Sequence, residues 1–147
     1  MKATICTAAG IAGAVISAAF GGWSTALECL IWFMAIDYAT GVIVAGVFKK
    51  SKKTDSGSLK SVAGFKGLSK KCVILMLVMM GFRLDQLMGT TIVKDAVCIG
   101  FIVNEGLSIL ENVGLMGITY PEALKKALDV LNKKEAGHDG TTGASVS

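Results

Sequence analysis

The chain has 147 residues, a formal net charge of +4, 52% hydrophobic residues and a mean hydropathy of +0.61. A soluble domain of this length cannot bury that much apolar surface, so the composition excludes an ordinary water-soluble globule. Eighteen glycines, few aromatic residues and a single proline are typical of closely packed membrane helices and not of a β-rich fold. We therefore predict an all-α integral membrane protein.

The first two apolar segments are predicted to be transmembrane helices, at residues 3–23 and 27–48. The second would form about 33 Å of helix, which matches a hydrocarbon core of about 30 Å. A cleaved signal peptide is the alternative for the first segment, because Lys2 precedes an apolar stretch that ends in small residues. We favour a membrane span, since the second apolar segment follows almost at once.

Residues 49–71 are predicted to be a basic cytoplasmic loop with a turn at 55–57. The loop holds eight lysines and a single acidic residue, Asp55. Because apolar segments flank it, we interpret the lysines as contacts to anionic lipid headgroups and not to nucleic acid. The lysines assigned to lipid contact are Lys49, Lys50, Lys52, Lys53, Lys70 and Lys71.

Two further segments, 72–88 and 91–112, complete a predicted set of four spans. With the basic loop inside the cell, both termini are expected in the cytoplasm. Arg83 and Asp85 interrupt the third segment, so three spans, with 72–88 only dipping into the bilayer, is the alternative.

A short amphipathic helix is predicted at residues 119–135, after the transmembrane part of the chain (1–118). Thr119 and Glu122 have the spacing of a capping box at its start. It is expected to be cytoplasmic. The remaining residues, 136–147, are rich in glycine, serine and threonine and are expected to be a disordered tail.

Small residues and one carboxylate mark the predicted faces for helix packing and self-association. Asp37 lies in the middle of the second segment, where a charged carboxylate costs about 2.5–3.5 kcal/mol. We predict an interhelical or pore-facing role for it; the alternative is a protonated carboxyl group with a local hydrogen bond. Small residues at four-residue spacing allow helices to approach closely. The predicted packing and oligomerisation residues are Gly13, Ser17, Gly21, Asp37, Gly41 and Ala45.

A polar stripe is predicted on the fourth segment, whose polar side chains fall within roughly 140° of a helical wheel. Lipid cannot satisfy such groups, so the stripe is expected to face other helices or water. Arg83 is assigned to the same surface, paired with Asp85, Glu105 or Asp37; the alternative is that it snorkels to the outer interface. The predicted pore or interface residues are Arg83, Asn104, Glu105, Ser108, Glu111 and Asn112.

Catalytic and metal-binding motifs are missing from the sequence. The one histidine, His138, lies in the C-terminal tail, and the four cysteines have neither metal-binding nor redox spacing. We therefore expect no enzymatic activity, no metal and no cofactor.

Three sequence motifs within residues 27–134 carry a resemblance to a known family. They are DYATG at 37–41, the glycine and lysine pattern at 61–71, and NEGLSILENVGLMG at 104–117 followed by YPEALKKALDVL. With these motifs the chain resembles the toxin-secretion and phage-lysis holin family of Gram-positive phages and clostridial toxin loci. The resemblance implies a protein that self-associates in the cytoplasmic membrane and opens lesions through which an endolysin or toxin leaves the cell. The exported protein need not touch the holin directly.

Two other functions are compatible with the sequence. A small proton-coupled multidrug transporter could use Glu28 as its membrane carboxylate. An antiholin or inert membrane adaptor would share every sequence feature of a holin and would differ only in producing no lysis.

Overall fold

The computed structural model describes residues 1–53, 55 and 60–139, and these residues contain helices and no strand. This confirms the all-α part of the predicted fold class. The helices are α1 (Lys2–Ala19), α2 (Thr25–Ile43, continued by a π-helical turn at Val44–Phe48), α3 (Ser61–Met88), α4 (Ile92–Leu115) and α5 (Glu122–Asp139).

The link between α1 and α2 follows from two glycines and a capping serine. Gly21 and Gly22 adopt positive φ angles of 71° and 90°, which only glycine accepts at low cost, and they turn the chain after α1. The Ser24 side chain then accepts a hydrogen bond from the Leu27 backbone N–H at 3.2 Å and caps the start of α2. The apolar sequence after this cap continues as helix to Phe48.

The prediction of a loop at residues 49–71 was wrong for residues 61–71, because these residues belong to α3. The helix begins at Ser61 and not at Cys72, so the second half of the basic segment is helical. Lysine is a good helix former, and Lys71 finds partners inside the bundle. Residues 56–57 of the predicted turn lie outside the described residues.

The start of α4 is held by Asp85 from the last turn of α3. Its Oδ1 accepts hydrogen bonds from the Thr90 hydroxyl at 2.6 Å and the Val93 N–H at 2.9 Å, and its Oδ2 accepts from the Lys94 N–H at 2.8 Å. These bonds satisfy N–H groups that a helix leaves free at its start. The short α3–α4 connection is therefore fixed in direction.

Helix α5 begins at Glu122, just after Pro121, and extends to Asp139, beyond the predicted end at residue 135. Residues 140–147 of the predicted tail lie outside the described residues. Gly106 of α4 allows α5 to pack closely, because a Cβ atom there would lie only 2.7 Å from Leu128.

Helix α4 is the centre of the fold and packs against α2, α3 and α5. The apolar core lies where α2, α3 and α4 meet, and α1 contributes no buried residue. The buried core residues are Leu27, Leu30, Met34, Ile74, Val78, Cys98 and Ile102.

Two of the described helices are long and apolar enough to cross a bilayer: Lys2–Ala19 and Thr25–Phe48. Helices α3 and α4 are long enough as well, but they carry more charge, and the four-span arrangement stays a prediction.

Candidate functional site

A buried cluster of three charges joins the helices of the bundle. Lys71 of α3 donates a hydrogen bond to Asp37 Oδ2 of α2 at 2.9 Å and another to Glu105 Oε2 of α4. The exposed fractions of Asp37, Lys71 and Glu105 are only 5%, 9% and 5%. We call these three residues the charge triad.

Asn112 extends the triad toward the C-terminal end of α4. Its side-chain amide donates to Asp37 Oδ1 at 3.3 Å and to the Thr40 hydroxyl oxygen at 3.0 Å. Both carboxylate oxygens of Asp37 therefore have donors. Gly41 lies beside this contact, since a Cβ atom on it would be in ordinary van der Waals contact with the Asn112 nitrogen, at 3.7 Å.

The triad links three helices through charged hydrogen bonds between side chains that are at most 9% exposed. Removing an ion from water costs several kcal/mol even after the protein relaxes, so each buried charge needs its partner. Two carboxylates share a single ammonium group here, and the cluster carries an excess negative charge. Loss of the lysine would leave two buried carboxylates facing each other.

In the structure the partner of Asp37 and Glu105 is Lys71 and not Arg83. Arg83 is exposed and donates to Gln86 Oε1 at 2.8 Å, whereas Asp85 caps α4. The predicted pairings of Arg83 with Asp85, Glu105 or Asp37 are therefore wrong.

The assignment of Lys71 to lipid headgroups is wrong as well, because its ammonium group is occupied by two carboxylates. A signal in the sequence pointed to this outcome. Once α3 is continued back to Ser61, Lys71 lies on the same helical face as Ile74, Val78, Gly81 and Asp85, all of which are buried.

The predicted polar stripe of α4 divides into an inner and an outer part. Glu105 and Asn112 are buried and point toward α2 and α3, and Ser108 is half-buried beside them. Asn104 and Glu111 are exposed. Glu111 pairs with Lys52 at 2.5 Å on the surface.

The predicted packing residues also divide between two kinds of environment. On α2, Asp37 and Ala45 are buried and Gly41 touches Asn112, so this face packs within the chain. On α1, a Cβ atom at Gly13 would have no neighbour within 4 Å, and Ser17 is half-buried.

Gly21 differs from Gly13 because a side chain of the bundle lies against it, although Gly21 itself is exposed. The Phe82 ring lies directly against it and leaves no room for a Cβ atom. Lys94 also donates to the Phe20 carbonyl oxygen at 3.2 Å. One end of α1 is thus anchored to α3 and α4.

A cavity of about 440 Å³ lies between α2, α3 and α4, next to the basic segment. The charge triad forms its floor. Lys53, Lys60 and Lys70 lie at its exposed rim, whereas the exposed Lys49 and Lys50 lie outside its lining. Within the described residues, no cluster of three or more His, Cys, Asp or Glu is placed to hold a metal ion.

The comparison with known families identifies the chain. The model of the bacteriophage holin family matches residues 14–133, most of the sequence. The chain belongs to this family. The predicted resemblance to phage-lysis holins is thereby confirmed, and the family is a non-enzymatic class of membrane proteins.

Similar proteins occur in Gram-positive bacteria and one of their phages. An uncharacterized 14.9 kDa protein of Clostridium perfringens is 38% identical over 84% of this chain and 89% of its own length. An uncharacterized protein of Listeria innocua is 36% identical over 83% and 82%. A probable holin of Bacillus phage phi105 is 29% identical over 71% of this chain and 73% of that protein. No solved structure matches the chain.

Proposed function

We propose that this chain acts as a holin that oligomerises in the cytoplasmic membrane and permeabilises it, so that an endolysin or toxin is released. The observation that carries the proposal is the match of the bacteriophage holin family to residues 14–133. The similarity to the probable holin of phage phi105 supports it.

The geometry supports a protein that first accumulates in the membrane as stable single chains. The charges of Asp37 and Glu105 are paired with Lys71 of the same chain, so insertion does not have to wait for a second copy. The proposed topology has four spans, with both termini and the basic segment in the cytoplasm.

Self-association is proposed to use the surfaces that the fold leaves uncovered. Helix α1 is apolar, has no buried residue and offers the small residues Gly13 and Ser17. Asn104 of α4 is exposed and needs a polar partner wherever lipid surrounds it. Copies joined through these surfaces would form the wall of a lesion.

Inducible expression in a bacterium tests the proposal, with a potential-sensitive dye and a co-expressed endolysin as readouts. A holin should collapse the membrane potential, arrest growth and cause lysis only when the endolysin is present. Asp37→Asn removes one triad charge and is expected to change the time of onset. Glu28→Gln is its matched control, because Glu28 is an exposed carboxylate at the start of the same helix.

Two outcomes would contradict the proposal. Normal accumulation in the membrane without loss of potential or lysis would identify an antiholin or an inert adaptor. Drug resistance without growth arrest, abolished by Glu28→Gln, would identify a transporter.

A further inference from the structure

The cavity above the charge triad has the features of a binding site for a lipid headgroup. We propose that it binds a phospholipid with a single negative charge and a glycerol headgroup. The phosphate would lie on the rim lysines Lys53, Lys60 and Lys70, and the glycerol hydroxyls would donate to the floor. This inference does not depend on whether the protein permeabilises membranes.

The charge of the cavity lining selects for an anion. Among the described residues, four lysines and three carboxylates line it, which leaves one positive charge. One of these carboxylates, Glu111, is already paired with Lys52, which lies outside the lining. This pairing leaves a second positive charge of the lining unbalanced, so a ligand with a net negative charge suits the site better than a zwitterion does.

The distribution of charge within the cavity determines which way the ligand lies. The floor holds the carboxylates of Asp37 and Glu105, and the single ammonium group between them is already bonded to both. A phosphate at the floor would be repelled, whereas hydrogen-bond donors would be accepted there. The exposed lysines are at the rim, where a phosphate can reach them.

The position of the cavity favours a membrane lipid as the occupant. It opens beside the basic segment, and lysines next to apolar helices are expected at the level of the headgroups. Basic pockets between transmembrane helices on the cytoplasmic side are known to hold anionic headgroups. Gly64 and Gly67 of α3 widen the wall opposite Tyr38, whose hydroxyl oxygen would lie 3.5 Å from a Cβ atom at Gly64.

Lipid titration of the purified full-length protein in neutral detergent tests this proposal, with binding followed by native mass spectrometry. The probes are phosphatidylglycerol, phosphatidic acid, phosphatidylethanolamine and phosphatidylcholine with identical acyl chains. We expect phosphatidylglycerol to bind most tightly. The double substitution Lys60→Gln with Lys70→Gln should weaken its binding by at least about tenfold.

The matched control is Lys125→Gln with Lys126→Gln, which removes the same charge from exposed positions on α5. It should leave the affinity for phosphatidylglycerol within about twofold of the unsubstituted protein. Equal binding of phosphatidylglycerol and phosphatidic acid, or equal losses in the two double variants, would show diffuse attraction and overturn the proposal. Preferred binding of phosphatidylethanolamine would overturn it too.

Discussion

Helix α1 and the bundle of α2, α3 and α4 differ in how much of their surface the chain itself covers. The bundle buries three charged side chains, Asp37, Lys71 and Glu105, which satisfy one another inside one chain. Helix α1 has no buried residue, and the contacts described for it lie near its C-terminal end, at Phe20 and Gly21. The difference separates two tasks: the bundle can account for folding, and α1 remains available for association.

The pairing within one chain changes the role expected for the carboxylates of Asp37 and Glu105. The sequence predicted that Asp37 lies on a face for helix packing and self-association and that Glu105 faces a pore or an interface. The structure shows that Asp37 and Glu105 have their partner, Lys71, within the chain. Variants in the bundle should therefore affect folding first, and variants on α1 should affect association with little effect on folding.

The largest expected effect is from Lys71→Met, which removes the shared partner of two buried carboxylates. We expect a loss of about 3–5 kcal/mol in the free energy of unfolding, because an unpaired buried charge is left behind. SDS-induced unfolding in mixed micelles, followed by circular dichroism, measures it. Lys70→Met, at the exposed neighbouring position, should stay within about 0.5 kcal/mol. Equal effects of the two would mean that the triad does not stabilise the bundle.

Gly106→Val tests the close packing of α4 against α5. A Cβ atom there would lie 2.7 Å from Leu128 and 3.1 Å from Phe33, so we expect a loss of about 1–3 kcal/mol. The same unfolding assay applies, together with the proteolytic accessibility of α5. Gly114→Val, on the same helix but with open space around it, should show no packing penalty. A stable Gly106→Val protein with α5 protected would contradict the packing described.

Asp85→Ala removes the carboxylate that accepts hydrogen bonds from the backbone N–H groups at the start of α4. Two backbone N–H groups and the Thr90 hydroxyl lose their acceptor, and a loss of about 1–2 kcal/mol is expected. Hydrogen exchange of the first turn of α4 should rise in parallel. Gln86→Ala, one position along α3 and exposed, is the control. If both variants exchange alike, Asp85 does not act as the cap.

Gly13→Ile on α1 should have the smallest effect on folding and a clear effect on association. No atom lies within 4 Å of the added Cβ position, so the free energy of unfolding should change by less than about 0.5 kcal/mol. Cross-linking in membranes should show fewer oligomers, since a bulky residue separates closely packed helices. Gly46→Ile, equally open but in the π-helical turn that continues α2, is the control. Unchanged cross-linking would remove α1 from the proposed interface.

Strong local signals in the sequence were sufficient to predict much of the fold. Uninterrupted apolar runs predicted α1 and α2, and the pattern of Thr119, Pro121 and Glu122 placed the start of α5 within a few residues. The start of α3 was missed because lysines near a membrane were interpreted as a loop. Lysine forms helices readily, so the charge pattern could not separate the two structures.

The charge triad could be predicted only in part, because its members lie far apart in the sequence. The position of Asp37 and the polar face of α4 marked two of the three groups that need partners. Which cation pairs with them depends on how far α3 extends and on which face it turns inward. That is a property of tertiary packing, and it made Lys71 the partner in place of Arg83.

The triad also imposes an order of events while the protein is being made. Asp37 leaves the ribosome 34 residues before Lys71, and Lys71 leaves 34 residues before Glu105. Asp37 therefore emerges before the lysine that pairs with it, and this chain offers its carboxylate no counter-charge until the start of α3 has emerged as well. Stable burial of Asp37 thus depends on a part of the chain that is made after its own helix.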